Sequence, residues 1–572
     1  MEELEKEEET QEEIEKRKLA LKNHLSKLAL NKYSLIFIGI FLLGIIIRLS
    51  FFLITKNQPL WWDEADYMAY AKNIANVGSS DWIVTSKHNS LFPYIAAIFI
   101  KIGSSEAVLK FLLEFLPSVL LIFLTYKICT LMYKDKKIAL ISSFLMATLW
   151  VILFNSFRFH LDIPALFVAF FAFYVFFQGY EKKEKIFGKI NPKYTILLTV
   201  LLVMLVYAIR KSYFLFGAFF LVYMFSTRSL ISLVKDKYNW ISLSVVVFLY
   251  IILDKFIFLS SLDAASTVSD AFGFQFDLVP LSIFGNYFGN ISNTLLSPLT
   301  WLFWIGFLLI LFNIFIGFKF LRKRFGNEEL KADFFNFLCI SITLTFFFFL
   351  TRDGGLGDAR WYFPLILASF ISISKGGVFI FDFIKKYNKQ AAVIVLILLI
   401  GFGGYYEYNH GKAIILNKVD SYSGIKDASL YLKETSNLED VIISVPVPQT
   451  AYYSERSSLS PSGLLNEGKP SSEVTLNQFL DKIGEIPEVR YIIVSFSEPG
   501  HPEWMRNESA EYIRDQTTGQ IMRAKMEIPF MDTKIDFINQ IQDIKETKTY
   551  GDLTFNLLKT NQDSFIYEIK RS

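Results

Sequence analysis

Residues 34–54 read SLIFIGIFLLGIIIRLSFFLI, and the chain then continues Pro59-Leu60-Trp61-Trp62-Asp63-Glu64-Ala65-Asp66-Tyr67. As a helix the first stretch is long enough to cross the ~30 Å hydrocarbon core of a bilayer. It is too long for the core of a signal peptide, and no small-residue cleavage site follows it, so it reads as an uncleaved signal anchor. Ahead of it, Met1 to Glu15 is acidic, and Lys16-Arg17-Lys18 with Lys22, Lys27 and Lys32 is basic. Residues 1–33 are expected to form a charged, solvated segment on the cytoplasmic side.

Working outward, comparable apolar runs recur at 107–127, 138–157, 162–180, 193–209, 213–227, 240–260, 297–320, 333–350, 361–380 and 391–406, making about eleven spans. Basic clusters at Lys134-Asp135-Lys136-Lys137, Lys182-Lys183, Lys235 with Lys237, Arg322-Lys323-Arg324 and Lys385-Lys386 fall on the side of the N-terminal cluster. By the positive-inside rule that side is cytoplasmic. The opposite, external face receives the loop 55–106, the turns 158–162, 210–213 and 351–360, and everything after about Tyr406. Residues 34–406 are thus expected to form a transmembrane domain. Residues 407–572, where helical patterns alternate with β-rich runs such as 441–445, 491–496, 553–558 and 564–569, are expected to form an extracytoplasmic α/β domain. The fold class expected is a polytopic α-helical membrane protein with a C-terminal α/β domain.

Composition agrees. Of 572 residues 52% are hydrophobic and 20% charged, with 59 Phe, 28 Tyr and 9 Trp, more apolar bulk than one water-facing core can hide. A soluble enzyme is excluded for the first 400 or so residues. The net charge of +3 gives no reason to expect nucleic acid as a partner. The two cysteines, Cys129 and Cys339, lie in or beside apolar runs and read as buried free thiols. No GxGxxG or P-loop follows a strand.

The scarce external charges carry the chemical interest. Trp61 and Trp62 suit a membrane interface. Asp63 and Glu64, followed by an amphipathic helix from Ala65 to Val77 with Met68, Ala71, Ile74 and Ala75 on one face, suit either a helix N-terminus with dipole-favoured acids or a base on an incoming hydroxyl or amine. That helix is expected to lie along the bilayer surface. Between the third and fourth spans, Arg158, His160 and Asp162 share one membrane boundary. Pro164 and Asp162 suit the start of a helix, but capping explains neither Arg158 nor His160. Arg210, Lys211 and Arg360 add cations on the face where the positive-inside rule disfavours them, and cations gathered there suit a phosphate-bearing substrate. His88 and Tyr67, both in the first external loop, complete the candidates.

In their order these residues resemble the GT-C membrane glycosyltransferases of the protein O-mannosyltransferase and aminoarabinose lipid A transferase type, glycosyltransferase family 39 and its relatives. The shared features are the Asp63-Glu64 pair after the first span, the amphipathic first loop, the acid opening the fourth span, the Arg360-Trp361-Tyr362-Phe363-Pro364 stretch and the C-terminal external domain. The resemblance implies transfer of a sugar, with inversion, from a polyprenyl-phosphate-linked donor in the membrane lipid to an extracytoplasmic acceptor: a protein, a lipid or a cell-envelope glycan. It makes Asp63 the general base or acceptor-orienting carboxylate, Glu64 its partner and Asp162 the second acidic site residue, with Arg158, Arg210, Lys211 and Arg360 as candidates for the lipid phosphate. It also implies that a divalent cation (Mg or Mn), if one is used, binds Asp63 and Asp162. The sequence departs from the family in reading His88-Asn89-Ser90 where relatives often have His-Pro-Pro, and in carrying Lys110 where many have Arg. A transporter or flippase would instead predict mid-plane charges and internal repeats. A receptor or scaffold would put the working part in 407–572. Trp61-Trp62-Asp63 echoes the signature of en bloc oligosaccharyltransferases, but that signature belongs in a soluble domain and not after a first span.

Overall fold

The computed structural model describes residues 32–77, 90–258, 295–296, 298–318, 328–350, 359–465, 473–495, 512–514, 521–523, 547–561 and 564–572. Helix α1 (Lys32–Thr55) is followed by two shorter helices, α2 (Trp62–Ala75) and α3 (Leu91–Lys101), and then by α4 (Glu106–Met132). Next come α5 (Lys136–Thr148), α6 (Trp150–Asn155), α7 (Asp162–Glu181), α8 (Pro192–Ile209), α9 (Leu215–Thr227), α10 (Leu230–Lys235) and α11 (Lys237–Phe256). The helical part ends with α12 (Leu299–Gly317), α13 (Glu328–Leu350), α14 (Phe363–Lys385) and α15 (Lys389–Asn417). Among the described residues eight helices, α1, α4, α7, α8, α11, α12, α14 and α15, are long and apolar enough to cross a membrane. The other three apolar runs fall on the broken pair α5 and α6, on the short α9 and on α13. The chain is a polytopic helical protein.

Two irregularities in this bundle position the site. Pro117 lies within α4 and has no N–H to give the carbonyl of residue 113, and the chain passes through a π-turn at Phe111–Phe115. That turn carries Glu114 (0% exposed), and Lys110 (2%) sits just ahead of it, so both charged side chains are taken into the protein. The second irregularity is at Leu149, which leaves helical geometry (φ −59°, ψ 124°) and separates α5 from α6. The carbonyls freed at the end of α5 are met by Arg48 of α1, which donates to Met146 O at 2.8 Å and Ala147 O at 3.1 Å. Its Nε donates to Ser118 Oγ at 3.2 Å. A cation at a helix C-terminus is favoured by the dipole, and this placement satisfies an arginine inside a membrane span.

The apolar face of helix α2 is taken up by protein. Its small residues Ala65, Ala69 and Ala71 let neighbours approach, and with Met68 and Ala75 they bury among Phe92 and Ala96 of α3 and Tyr452 and Tyr453 of a helix from the C-terminal part. The face expected to lie along the bilayer is covered by protein on both sides.

The C-terminal part is a three-layer α/β unit. A six-stranded mixed sheet runs in the order β2 (Ser457–Leu459), β1 (Val441–Ser444), β3 (Val489–Ser495), β8 (Ser564–Arg571), β7 (Leu553–Asn561), β6 (Thr547–Tyr550). Strands β1, β2 and β3 are parallel, and the rest pair antiparallel. Strands β4 (Tyr512–Arg514) and β5 (Ile521–Arg523) form a separate ribbon. Side chains alternate along the strands with period two. Ile442, Ile493 and Ile566 meet Ile425, Ala428 and Leu432 of α16 (Ser423–Thr435) on one face. Ile443, Ile492, Val494 and Tyr567 meet Phe479 and Ile483 of α19 (Leu476–Glu485) on the other. Helix α17 (Val447–Ser454) follows β1, and the short α18 (Pro461–Leu465) follows β2.

Helix α17 holds the first loop of the membrane part. Buried Leu60 donates its N–H to Tyr453 Oη at 2.9 Å, and Tyr452 Oη donates to Glu106 Oε1 at 2.9 Å. Lys72 of α2 pairs with Glu455 at 3.0 Å and lies 4.0 Å from the centre of the Tyr452 ring. Tyr453→Phe would strand the buried Leu60 N–H, at an expected cost of about 1–3 kcal/mol. A melting temperature equal to wild type in detergent would contradict this docking.

Candidate active site

The functional candidates meet at one end of the bundle, where the segment between α6 and α7, the turn between α8 and α9, and the segment leading into α14 approach α2. Glu64 lies in the first turn of α2, where its Oε2 accepts the Trp61 N–H at 3.4 Å. Its Oε1 is ion-paired with Arg158 Nε and lies 3.5 Å from His160 Nε2. The Arg158 guanidinium stacks on Trp61, 3.2 Å from the ring centre. Its Nη1 and Nη2 are buried with no hydrogen-bond partner among the described residues. Burial pushes the Glu64 carboxyl up, against the nearby Arg158 charge, and pulls Arg158 down.

His160 links this pair to a second one. Arg360 Nη1 donates to His160 Nδ1 at 2.8 Å. Asp162, the first residue of α7 and wholly buried, accepts from Arg210 Nη1 at 2.8 Å through Oδ2 and from Tyr213 Oη at 2.9 Å through Oδ1. Arg360 is 4.0 Å from the same Oδ2. Glu64, Arg158, His160, Arg360, Asp162 and Arg210 thus form one continuous polar chain. Glu114 is fully buried near the backbone of His160. Lys110 donates to Thr55 O at 3.0 Å and adds its positive charge beside Glu64.

Burial, then the charges of Arg360, Arg158 and Arg210, pull His160 well below 6.5. A neutral ring with its proton on Nε2 suits both neighbours, accepting from Arg360 at Nδ1 and facing Glu64 with N–H. The unfolded chain binds a proton at His160 below about 6.5 and the folded one does not. The stability this residue contributes is therefore complete above that value and is lost as pH falls through it. Melting temperature is expected to drop between pH 7.5 and 5.5, and less so in His160→Asn. Parallel pH profiles for the two proteins would contradict a buried neutral ring.

Towards solvent the cluster ends in partly exposed groups. Asp63 is partly exposed, and the side chains of Arg210 and Arg360 are 16% and 20% exposed. Tyr67, buried on the same turn of α2 as Asp63, feels the charges of Asp63, Arg210, Asp162 and Arg360 together. Its hydroxyl is the group on which these charges act. Burial first, then Asp63, pushes that hydroxyl above its ordinary value.

Most of the residues nominated from the sequence are brought together here. Lys211 is not: it opens a 3-10 turn, is exposed, and lies 4.0 Å from the Phe258 ring centre. Arg210, the extended residue just before that turn, is the one that reaches Asp162. His88 lies outside the described residues. Tyr213, Glu114 and Arg48 were not anticipated. The last two carried a usable signal, being ionisable residues inside apolar runs. Of the pair Asp63 and Asp162, both Asp162 oxygens accept a hydrogen bond, one from Arg210 and one from Tyr213. Among the described residues no three or more His, Cys, Asp or Glu side chains gather as a metal-ligand set.

No family model matches the chain, and no curated protein matches it in sequence. Solved structures match it in fold. ArnT from Cupriavidus metallidurans bound to undecaprenyl phosphate is 9% identical, with a TM-score of 0.54 over 94% of this chain and 98% of that one. Its apo state gives 0.52 at 10% identity, over 92% and 97%. The apo oligosaccharyltransferase of Archaeoglobus fulgidus gives 0.54 at 13% identity, over 82% of this chain and 70% of its own. At such identities the likeness is one of fold. The chain has the GT-C fold, a polytopic helical body followed by a C-terminal domain containing a β-sheet.

Proposed function

We propose that the protein is an integral membrane glycosyltransferase that moves a sugar from a polyprenyl-phosphate-linked donor to an acceptor on the external face, with inversion. The observation that carries this reading is the pair of partly exposed guanidiniums, Arg210 and Arg360, held by the buried Asp162 and His160, with the partly exposed Asp63 on α2 next to the buried Glu64 that joins the same chain. ArnT, whose fold the chain shares, binds undecaprenyl phosphate.

In this reading the acceptor hydroxyl or amine loses its proton to Asp63 and attacks the anomeric carbon. The bond from that carbon to the phosphate oxygen breaks, and the polyprenyl phosphate leaves with the electron pair. Arg210 and Arg360 face the departing charge and stabilise it more in the transition state than in the donor. Glu64 and Asp162 are positioning residues, because their oxygens are committed to Arg158, His160, Arg210 and Tyr213. The external face, the N-terminus on the cytoplasmic side and the C-terminal domain outside follow from the charge asymmetry of the loops. The acceptor class stays open among a protein, a lipid and a cell-envelope glycan.

Reconstituted protein is expected to release polyprenyl phosphate from a polyprenyl-phosphate sugar, and Arg210→Ala to lower that release at least about 100-fold. If repeated preparations contain no polyprenyl phosphate and consume no such donor, a receptor or scaffold takes its place.

A further inference from the structure

A cavity of 710 Å³, within the range of about 300–1,000 Å³ usual for small-molecule sites, lies between α7, α8, α9, α10 and α11. Phe176, Val203, Met204, Phe220 and Leu243 give it an apolar wall, and the exposed Leu221 and Tyr250 open it sideways towards the bilayer. Three polar residues also line it: Thr199, Asn239 and Ser242. Thr199 Oγ1, Ser242 Oγ and Asn239 Oδ1 are all buried with no hydrogen-bond partner among the described residues. Several hydroxyls on other apolar helices instead bond the carbonyl one turn back, as Thr125 does to Leu121, Ser143 to Ala139 and Thr227 to Tyr223, each at 2.7 Å; Thr343 of α13 is a further buried hydroxyl without a described partner, but it does not line this cavity. The rim on this side carries Lys193, Lys235 and Lys237, all exposed. Leu230, Ile231 and Val234 of α10 and the adjacent Trp240 are exposed there as well, the composition of a helix at head-group level.

We propose that this cavity holds a diacyl glycerophospholipid taken from the membrane face that carries the basic clusters. Its ester carbonyls accept from Thr199 and Ser242, and its phosphate lies at the lysine rim. Asn239 Oδ1 accepts from a hydroxyl or ammonium of the head group. The acyl chains fill the apolar part. A polyprenyl chain does not fit as well, because pure hydrocarbon would leave two hydroxyls and an amide oxygen dry and unbonded. The site is independent of the sugar chemistry at the other end of the bundle.

The full-length protein, purified in detergent and washed, is to be examined by native mass spectrometry for retained glycerophospholipid. About one per chain is expected. Thr199→Val with Ser242→Ala, which keeps side-chain volume, is expected to lower occupancy about tenfold under the same wash. Gly217→Leu, which adds a side chain to the cavity wall, is expected to do the same by filling space. Unchanged retention in both variants would show bilayer lipid held without this site and overturn the proposal. A wild-type protein retaining only a prenyl chain, or no lipid, would overturn it too.

Discussion

Asp63→Asn is expected to lower sugar transfer by about 10²–10⁴-fold, the range for loss of a positioned general base, while expression and membrane insertion remain normal. The asymmetry between the two adjacent acids supports this. Glu64 is buried, with Oε1 against Arg158 and Oε2 accepting the Trp61 N–H. Asp63, one position earlier on α2, is partly exposed and acts on Tyr67 beside Arg210 and Arg360. Of the two, only Asp63 is open to solvent, as the proposed base on a water-borne acceptor must be. Substitution by Asn keeps the shape and removes the proton acceptor, so the loss should appear in kcat more than in folding. An Asp63→Glu variant should recover part of the rate, because the base is retained one methylene out of place. Near-normal transfer by purified Asp63→Asn would remove this residue from the chemistry. A melting temperature lowered in proportion to the activity would make it structural.

How much of this could be read in advance follows from the range of the forces involved. A membrane span is a local property: some 20 apolar residues must satisfy their own backbone, so every apolar run from 34 to 406 lies on a helix. The boundary charges at 158–162 stood out for the same reason, since a bilayer penalises them without a partner. Partner identity is a different matter. That Arg158 pairs with Glu64 and Asp162 with Arg210 depends on how α6, α7 and α8 pack against α2, and side-chain order does not encode it. Helix α17 went unread because it is short, opens with Val447-Pro448, and owes its stability to docking on α2. Trp61 is the surface on which the Arg158 guanidinium stacks, a contact that the Trp-Trp-Asp stretch alone does not announce.

Glu64→Ala is expected to cost about 3–5 kcal/mol, the usual penalty for breaking a buried ion pair from one side. The side chains of Arg158 and Glu64 are 3% and 1% exposed. Once Glu64 is gone, Arg158 keeps its stack on Trp61 but loses its anion, and none of its nitrogens then has a described hydrogen-bond partner. Burial already pulls Arg158 down while the Glu64 charge holds it up, so removing Glu64 leaves desolvation unopposed. The reciprocal Arg158→Met should be comparably costly, because Glu64 would be left facing a neutral His160 that can donate only one N–H. The double variant Glu64→Met with Arg158→Met distinguishes an ion pair from mere packing. If the pair is the cause, the double variant should be more stable than either single one, since neither member of the pair is left buried without the other. If the two costs simply add, Glu64 acts as the N-terminal cap of α2 and not through Arg158. Activity should separate from stability in this series. A double variant restored in melting temperature but still inactive would show that the pair serves activity and not only stability, as expected if it holds His160 in place.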